Sequence, residues 1–219
     1  MSLLEKMETK LQLIETNEGL TLTDGTLFMR GDLTTMLPRL KNGRLQGEFL
    51  IKAAKYKKND NYTPLAIDAT AGMGEDSLLL AAYGYQVILY EKNPIIFALL
   101  RDSLERAAKN DDLKEYVSRM KVIEGDSIKA LSSMNNSPDL VLLDPMFPQR
   151  QKSGLIKKKF QLLQKLECPC DDEFELFSAA LSANPQKIVV KRPSKSVFLA
   201  ERKPSYQIAG PSIRYDVYV

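Results

Sequence analysis

Residues 141–153, VLLDPMFPQRQKS, carry an apolar strand into an acid, then two prolines bracketing Met-Phe, then a run of cations. Such a stretch can hold a flat base that bears an amine. The lone pair of an exocyclic amine is delocalised into its ring. A side-chain oxygen of Asp144 and the Pro145 carbonyl would accept the two amine hydrogens and favour a more pyramidal, nucleophilic nitrogen. Phe147 would stack on the ring, a contact worth about 1–3 kcal/mol per base. Asp and Pro are also common in turns after strands, so the reading depends on what stands at the other strand ends.

The second stretch with chemical content is DATAGMGEDS, residues 68–77, a glycine turn between strand-like and helix-like segments. No Gly-Lys-Ser/Thr follows, which excludes a P-loop. A dinucleotide turn would keep Gly72 and Gly74 but has Ser77 at the third small position. Charge discriminates better. A pyrophosphate rests on a helix N-terminus, and here that position carries Glu75 and Asp76, which would repel it. S-adenosylmethionine has no phosphate and carries an ammonium and a sulfonium, so the same carboxylates attract it. As plain helix-dipole partners the two acids would each contribute about 0.3–1 kcal/mol.

Glu91 ends the next strand, 17 residues after Gly74. An acid near that spacing grips a ribose diol in nucleoside-binding α/β folds. EGDS, residues 124–127, places Asp126 and Ser127 at a third strand end, where a carboxylate could read an adenine amine. Asp68, Glu91, Asp126 and Asp144 therefore converge on the ligand-binding edge of an open α/β sheet.

Those groups need a scaffold, and the pattern supplies one. The first 45 residues read as a small subdomain with a β-hairpin over 11–29 turning at Asp24-Gly25, and residues 46–219 as the main domain. A helix over 47–58 follows. Strands at 64–68, 86–91, 121–125, 140–144 and 187–191 then alternate with helices at 75–84, 94–109, 112–119, 127–133 and 172–183. Asn93-Pro94 is a clean helix start, with Asn as cap and Pro where its missing N–H costs nothing. The alternation implies a mostly parallel sheet covered by helices on both faces. YQIAG and IRYDVYV add two antiparallel strands at the end. The expected fold class is α/β, a Rossmann-like arrangement of the class I methyltransferase type, by analogy of architecture alone.

Composition narrows the chemistry. The 219 residues contain no histidine, which excludes His-based hydrolase triads, His metal centres and His acid–base pairs. Cys168 and Cys170 have no partner ligands for a zinc site, so no metal is expected. No stretch approaches a membrane span and the N-terminus has acids where a signal peptide would be apolar, so a cytoplasmic protein is expected. A net charge of +3 is only mildly basic. The cations are localised, however: Arg150, Lys152, Lys157, Lys158, Lys159 and Lys165 crowd one segment, which by itself is an ordinary solvated surface.

Asp144-Pro145-Met146-Phe147 resembles the Asp/Asn-Pro-Pro-Tyr/Phe signature of enzymes that methylate amino groups on planar substrates, with Met146 in place of the second proline. Together with DATAGMGEDSLLLAAYGYQVILYEKNP, VVKRP and RYDVY, it makes residues 42–219 similar to the ribosomal RNA small subunit methyltransferase J family, bacterial guanine-N2 methyltransferases of 16S rRNA. The resemblance implies a catalytic Asp144, Pro145 and Phe147. It implies donor contacts at Glu75, Asp76, Glu91, Lys92, Asp126, Ser127 and Asp144, beside Asp68, Gly72 and Gly74. The family often has Arg-Asp where this chain has Glu75-Asp76 and Glu-Arg where it has Glu91-Lys92; Lys keeps the charge of Arg but loses its planar fork.

In that setting Arg150, Lys152 and Lys157 to Lys159 would clamp phosphates of 16S rRNA or the small ribosomal subunit, with Lys191 and Arg192 completing a basic rim. A monomer is the default oligomeric state. Two rival readings stay open: an amine methyltransferase acting on DNA or a protein glutamine, and a non-catalytic RNA-binding protein with a degenerate donor pocket.

Overall fold

A computed structural model of the chain describes residues 11–41, 43–56, 61–145 and 172–219, together with Leu162 and Leu166. Strands β1 (Gln12–Thr16), β2 (Gly19–Thr23) and β3 (Phe28–Met29) form a small antiparallel sheet in that order. The expected Asp24-Gly25 turn joins β2 to β3. Asp24 Oδ1 accepts the Thr26 and Leu27 N–H groups at 3.1 and 2.9 Å, and Gly25 takes a φ of +87° that suits glycine. A further hairpin pairs β1 with β2, turning at Asn17-Glu18.

After a 3₁₀ turn at Leu33–Met36 come three short helices, α1 (Leu37–Leu40), α2 (Arg44–Gly47) and α3 (Phe49–Ala53). The helix expected over 47–58 is corrected: α3 begins just after α2, at Phe49, and ends at Ala53, and residues 57 and 58 lie outside the described residues. Glu48, between α2 and α3, is extended, with φ −61° and ψ 134°, and its carboxylate receives both Nε and Nη2 of Arg39, at 2.9 and 2.7 Å. The ion pair ties α1 to the junction of α2 and α3.

The main sheet contains β4 (Leu65–Asp68), β5 (Gln86–Glu91), β6 (Met120–Glu124), β7 (Leu140–Leu143), β8 (Lys187–Pro193), β9 (Tyr206–Ala209) and β10 (Ile213–Tyr218), in the order β6-β5-β4-β7-β8-β10-β9. Neighbours from β6 to β8 are parallel; β10 runs antiparallel between β8 and β9. The chain leaves β4 for β5 on one side and later returns to β7 on the other. That reversal opens a crevice at the carboxyl ends of β4 and β7, where ligands of open α/β sheets bind.

Helices α4 (Glu75–Tyr83), α5 (Pro94–Ala107), α6 (Lys114–Val117), α7 (Ser127–Ser132) and α8 (Glu173–Ser182) cover the sheet. Alternate strand residues serve opposite faces. Ala66, Val87, Leu142 and Val189 join a core with Leu79 of α4, while Ile67, Val141, Leu143 and Val190 pack on Leu131 of α7 and Phe177 of α8. The packing does not break at residue 45: Leu33 and Met36 lie in the first of these clusters. The small sheet docks on α5, where Leu22 and Met29 meet Ile96 and Leu99 and the Arg106 guanidinium donates to the Gly31 carbonyl. No helix among the described residues is long and apolar enough to cross a membrane.

Candidate active site

A cavity of about 680 Å³ opens at the crevice, within the range typical of small-molecule sites. Its floor comes from the glycine turn. Gly72 and Gly74 take φ values of +53° and +76°. A Cβ at Gly74 would sit 2.8 Å from Leu100 Cδ1, so turn geometry and packing both demand glycine there. Asp68, at the end of β4 and 2% exposed, accepts Ser77 Oγ at 2.6 Å and the Thr70 N–H at 3.1 Å. Burial pushes its carboxyl up to about 7, against these two hydrogen bonds and with help from the charges of Asp76 and Asp144.

Glu91, at the end of β5, closes the turn. Its Oε2 accepts the Gly72 N–H at 3.0 Å and its Oε1 the Asn93 N–H at 2.8 Å. Burial raises its carboxyl above the usual range while the backbone donors pull the other way. A carboxylate has about four acceptor positions, so both oxygens keep capacity for a diol. Asn93 then caps α5 through the Ile95 and Ile96 N–H groups, as its pairing with Pro94 suggests. Asp126 caps α7 by accepting from Ile128 N–H at 3.0 Å, and Ser127 beside it is buried. Glu75, Asp76 and Lys92 complete this half of the wall.

The other half holds the acceptor groups. Asp144 follows β7 and is fixed by its own N–H, which donates to Thr70 Oγ1 at 2.7 Å, so the end of β7 is tied to the glycine turn. Pro145 also lines the cavity. Lys191 of β8, expected on a basic rim, reaches into the cavity instead. Its Nζ donates to Asp76 Oδ2 at 2.7 Å and Asp144 Oδ2 at 2.8 Å. Desolvation works to lower its pKa, but Asp76 and Asp144 outweigh that and hold the ammonium above the usual lysine range. Desolvation pushes the Asp144 carboxyl up, Lys191 pulls it back, and Asp76 pushes it up again.

Arg192 is a correction to the expected rim. Its residue is 2% exposed, and its guanidinium donates to the Val197 carbonyl from Nε and Nη2 at 3.1 and 2.8 Å, which leaves it unsuited to clamp an external phosphate. The β-strand alternation sends neighbours Lys191 and Arg192 to opposite faces. Phe147, Arg150, Lys152, Lys157, Lys158 and Lys159 lie outside the described residues, as do Cys168 and Cys170. Among the wall residues that escaped sequence reasoning are Thr70, Arg39 and Tyr215. Thr70 sits inside the glycine-turn stretch and was legible as a polar group there; nothing local marks Arg39, which arrives from α1 through its pairing with Glu48.

Comparison with known proteins agrees with this geometry. A family model described as "Putative SAM-dependent methyltransferase" matches residues 1–219. Ribosomal RNA small subunit methyltransferase J of Thioalkalivibrio sulfidiphilus is 42% identical over 177 residues, covering 80% of this chain and 69% of that protein. The protein of the same name from Acinetobacter baumannii is 35% identical over 226 residues, covering 97% and 79%. The chain belongs to the ribosomal RNA small subunit methyltransferase J family. A crystal structure of a SAM-dependent methyltransferase from Neisseria gonorrhoeae superposes with a TM-score of 0.76 at 29% identity, covering 98% of this chain and 85% of that one. The rRNA methyltransferase aviRa from Streptomyces viridochromogenes, at 17% identity and a TM-score of 0.54, shares the fold, covering 80% of this chain and 83% of that one.

Membership in the methyltransferase J family makes S-adenosylmethionine (SAM) the methyl donor, and the cavity fits it. The acids at the α4 N-terminus suit a ligand with two cationic centres and oppose a diphosphate. All ten residues expected to bind the donor, Asp68, Gly72, Gly74, Glu75, Asp76, Glu91, Lys92, Asp126, Ser127 and Asp144, line this cavity.

Proposed function

We propose that the protein methylates the exocyclic N2 amine of a guanine in 16S rRNA. The observation that carries the reading is the position of Asp144 and Pro145 on the wall of the donor cavity, tied to the glycine turn by the Asp144–Thr70 hydrogen bond. The methyltransferase J relatives, named for the small subunit's RNA, supply the substrate class. The bound donor supplies an electrophilic methyl group on a sulfonium.

The protein's own residues then have few tasks. Glu91 holds the donor's ribose, Asp126 and Ser127 meet its adenine, and Glu75 and Asp76 face its charged end. Asp144 and the Pro145 carbonyl accept the hydrogens of the guanine amine and turn its lone pair toward the methyl group. Phe147 stacks on the base. Positioning of the two reactants accounts for most of the rate. The new N–C bond replaces the methyl group's bond to sulfur, and the proton then passes from the strongly acidic nitrogen to water, so a chain with no histidine suffices. Arg150, Lys152 and Lys157 to Lys159 hold RNA phosphates.

The test is to incubate the protein and labelled SAM with small subunits from a strain lacking the enzyme, and to map the label by mass spectrometry. Label on N2 of one guanine is expected. Label on another base, on DNA or on protein glutamine offered in parallel, or no label at all, overturns the reading.

A further inference from the structure

Lys191 stands between the two halves of the site. From the central part of the sheet, its ammonium spans 2.7 Å to Asp76 Oδ2 on the donor turn and 2.8 Å to Asp144 Oδ2 on the acceptor side, with its side chain 25% exposed. A phosphate-binding lysine would present its ammonium to solvent; this one is committed to two carboxylates inside the cavity. Without it, Asp76 and Asp144 would face each other across a partly desolvated space, with buried Asp68 beside them.

We propose that Lys191 is a positioning residue for methyl transfer: it keeps Asp144 ionised, fixes Oδ2, and so leaves Oδ1 to accept the substrate amine. The inference rests on the reading of Asp144 as the amine acceptor. Protonation of Asp144 would convert one acceptor oxygen into a donor, the wrong polarity for an amine that must be relieved of hydrogen. The titratable and charged groups around Asp144 are Asp68 of β4, Asp76 of α4, Lys191 of β8 and Tyr215 of β10, with the Arg192 charge acting more weakly from the other face of β8. Among these, Lys191 is the cation in direct contact. The two acids push the carboxyl toward its neutral form and Lys191 opposes them. The same bridge couples the donor turn to the acceptor group, since Asp76 lies in the first turn of the helix that follows Gly74.

The experiment compares wild type, Lys191→Met and Lys191→Arg in single-turnover methylation across pH, in SAM binding by calorimetry, and in the salt dependence of RNA binding. Lys191→Met is expected to slow transfer about a hundredfold at neutral pH. Its acid limb should move up by about one to three pH units. SAM affinity should change by less than about threefold, because Asp76 and Glu91 keep their charges, and the salt slope should not change. Lys191→Arg should recover most of the rate. An unshifted acid limb in Lys191→Met overturns the inference, and a salt slope reduced by about one unit assigns Lys191 to a phosphate instead.

A carbon-13 carboxyl titration of Asp144, in the protein without RNA, separates this inference from the proposed function. If wild type fails to methylate guanine while the Asp144 resonance still titrates higher in Lys191→Met, the substrate reading fails and the Lys191 bridge stands. Should Lys191→Met not fold, Lys191→Gln, which keeps a polar donor on a shorter, uncharged side chain, is read in the same titration with the same two outcomes.

Discussion

Glu91 accepts the backbone N–H of Gly72 at 3.0 Å, so the acid that ends β5 and the glycine turn that follows β4 form one hydrogen-bonded unit. The donor turn is thus held in shape by the same carboxylate expected to grip the ribose. Replacing Glu91 by Gln leaves one accepting oxygen for two backbone donors and turns an amide N–H toward the other. An unsatisfied buried donor costs about 1–3 kcal/mol, so the SAM dissociation constant should rise about tenfold to a hundredfold in calorimetry. A value within twofold of wild type would show that the ribose and turn do not depend on this carboxylate.

Asp68 makes stability depend on pH in a direction opposite to most carboxylates. Burial, above all, raises its folded pKa from the ordinary 3.8 to about 7. The stabilising contribution of its protonated form is complete below the unfolded value and is lost as pH rises through about 7. Asp68→Asn removes that loss while keeping an acceptor for Thr70 N–H. Relative to wild type, the variant should gain stability between about pH 4 and 7, by up to about 1.4 kcal/mol per pH unit. Urea denaturation at several pH values checks this; a difference that does not vary with pH refutes it.

Thr70 Oγ1 accepts the Asp144 N–H. Thr70→Val keeps the shape and removes the acceptor, which should cost about 1–3 kcal/mol in stability. Methyl transfer should slow more than SAM binding weakens, because the donor wall keeps its charges while Asp144 loses its register. Single-turnover rates set beside calorimetry measure the two separately, and equal losses in both would place Thr70 with the donor alone.

Arg214 and Asp216 pair on one face of β10 at 2.8 Å, and Asp216 is fully buried. The Arg214 Nη1 also donates to the carbonyls of Pro193, Ser194 and Ser196, which sets the loop after β8. Arg214→Met removes the cation paired with a buried carboxylate and one donor from each of three carbonyls. A loss of about 3–5 kcal/mol is expected, read as a lower denaturant midpoint with little change in slope.

Lys157, Lys158 and Lys159 changed together to Ala should weaken RNA binding and flatten its salt dependence, since each phosphate contact releases counterions. SAM affinity should stay as it was. An unchanged slope returns the three lysines to an ordinary solvated surface.

The strand ends could be located from the sequence because each carries an acid after an apolar run: Asp68, Glu91 and Asp144 follow LAI, VILY and VLL, and a parallel sheet brings such ends to one edge. The helix starts at Asn93 and Asp126 were equally legible, being local cap chemistry. The Arg39–Glu48 pairing was not, because nothing local marks two side chains nine residues apart as partners. Nor was the packing of Leu33 and Met36 into the main core, since apolar spacing says which residues are buried and not against what.

Lys191 and Arg192 mark the dividing line. As adjacent cations after VV they read alike, and a basic rim was the natural inference. Strand geometry sends them to opposite faces, one to a pair of carboxylates in the cavity and the other to a buried set of carbonyls. Sequence alone determined the fold class and the acids at the sheet edge, because those follow from local patterns and one chain-wide alternation, and its likeness to a family named the donor. Only the tertiary structure decided which charges meet, because a salt bridge is set by distances between strands and helices far apart along the chain.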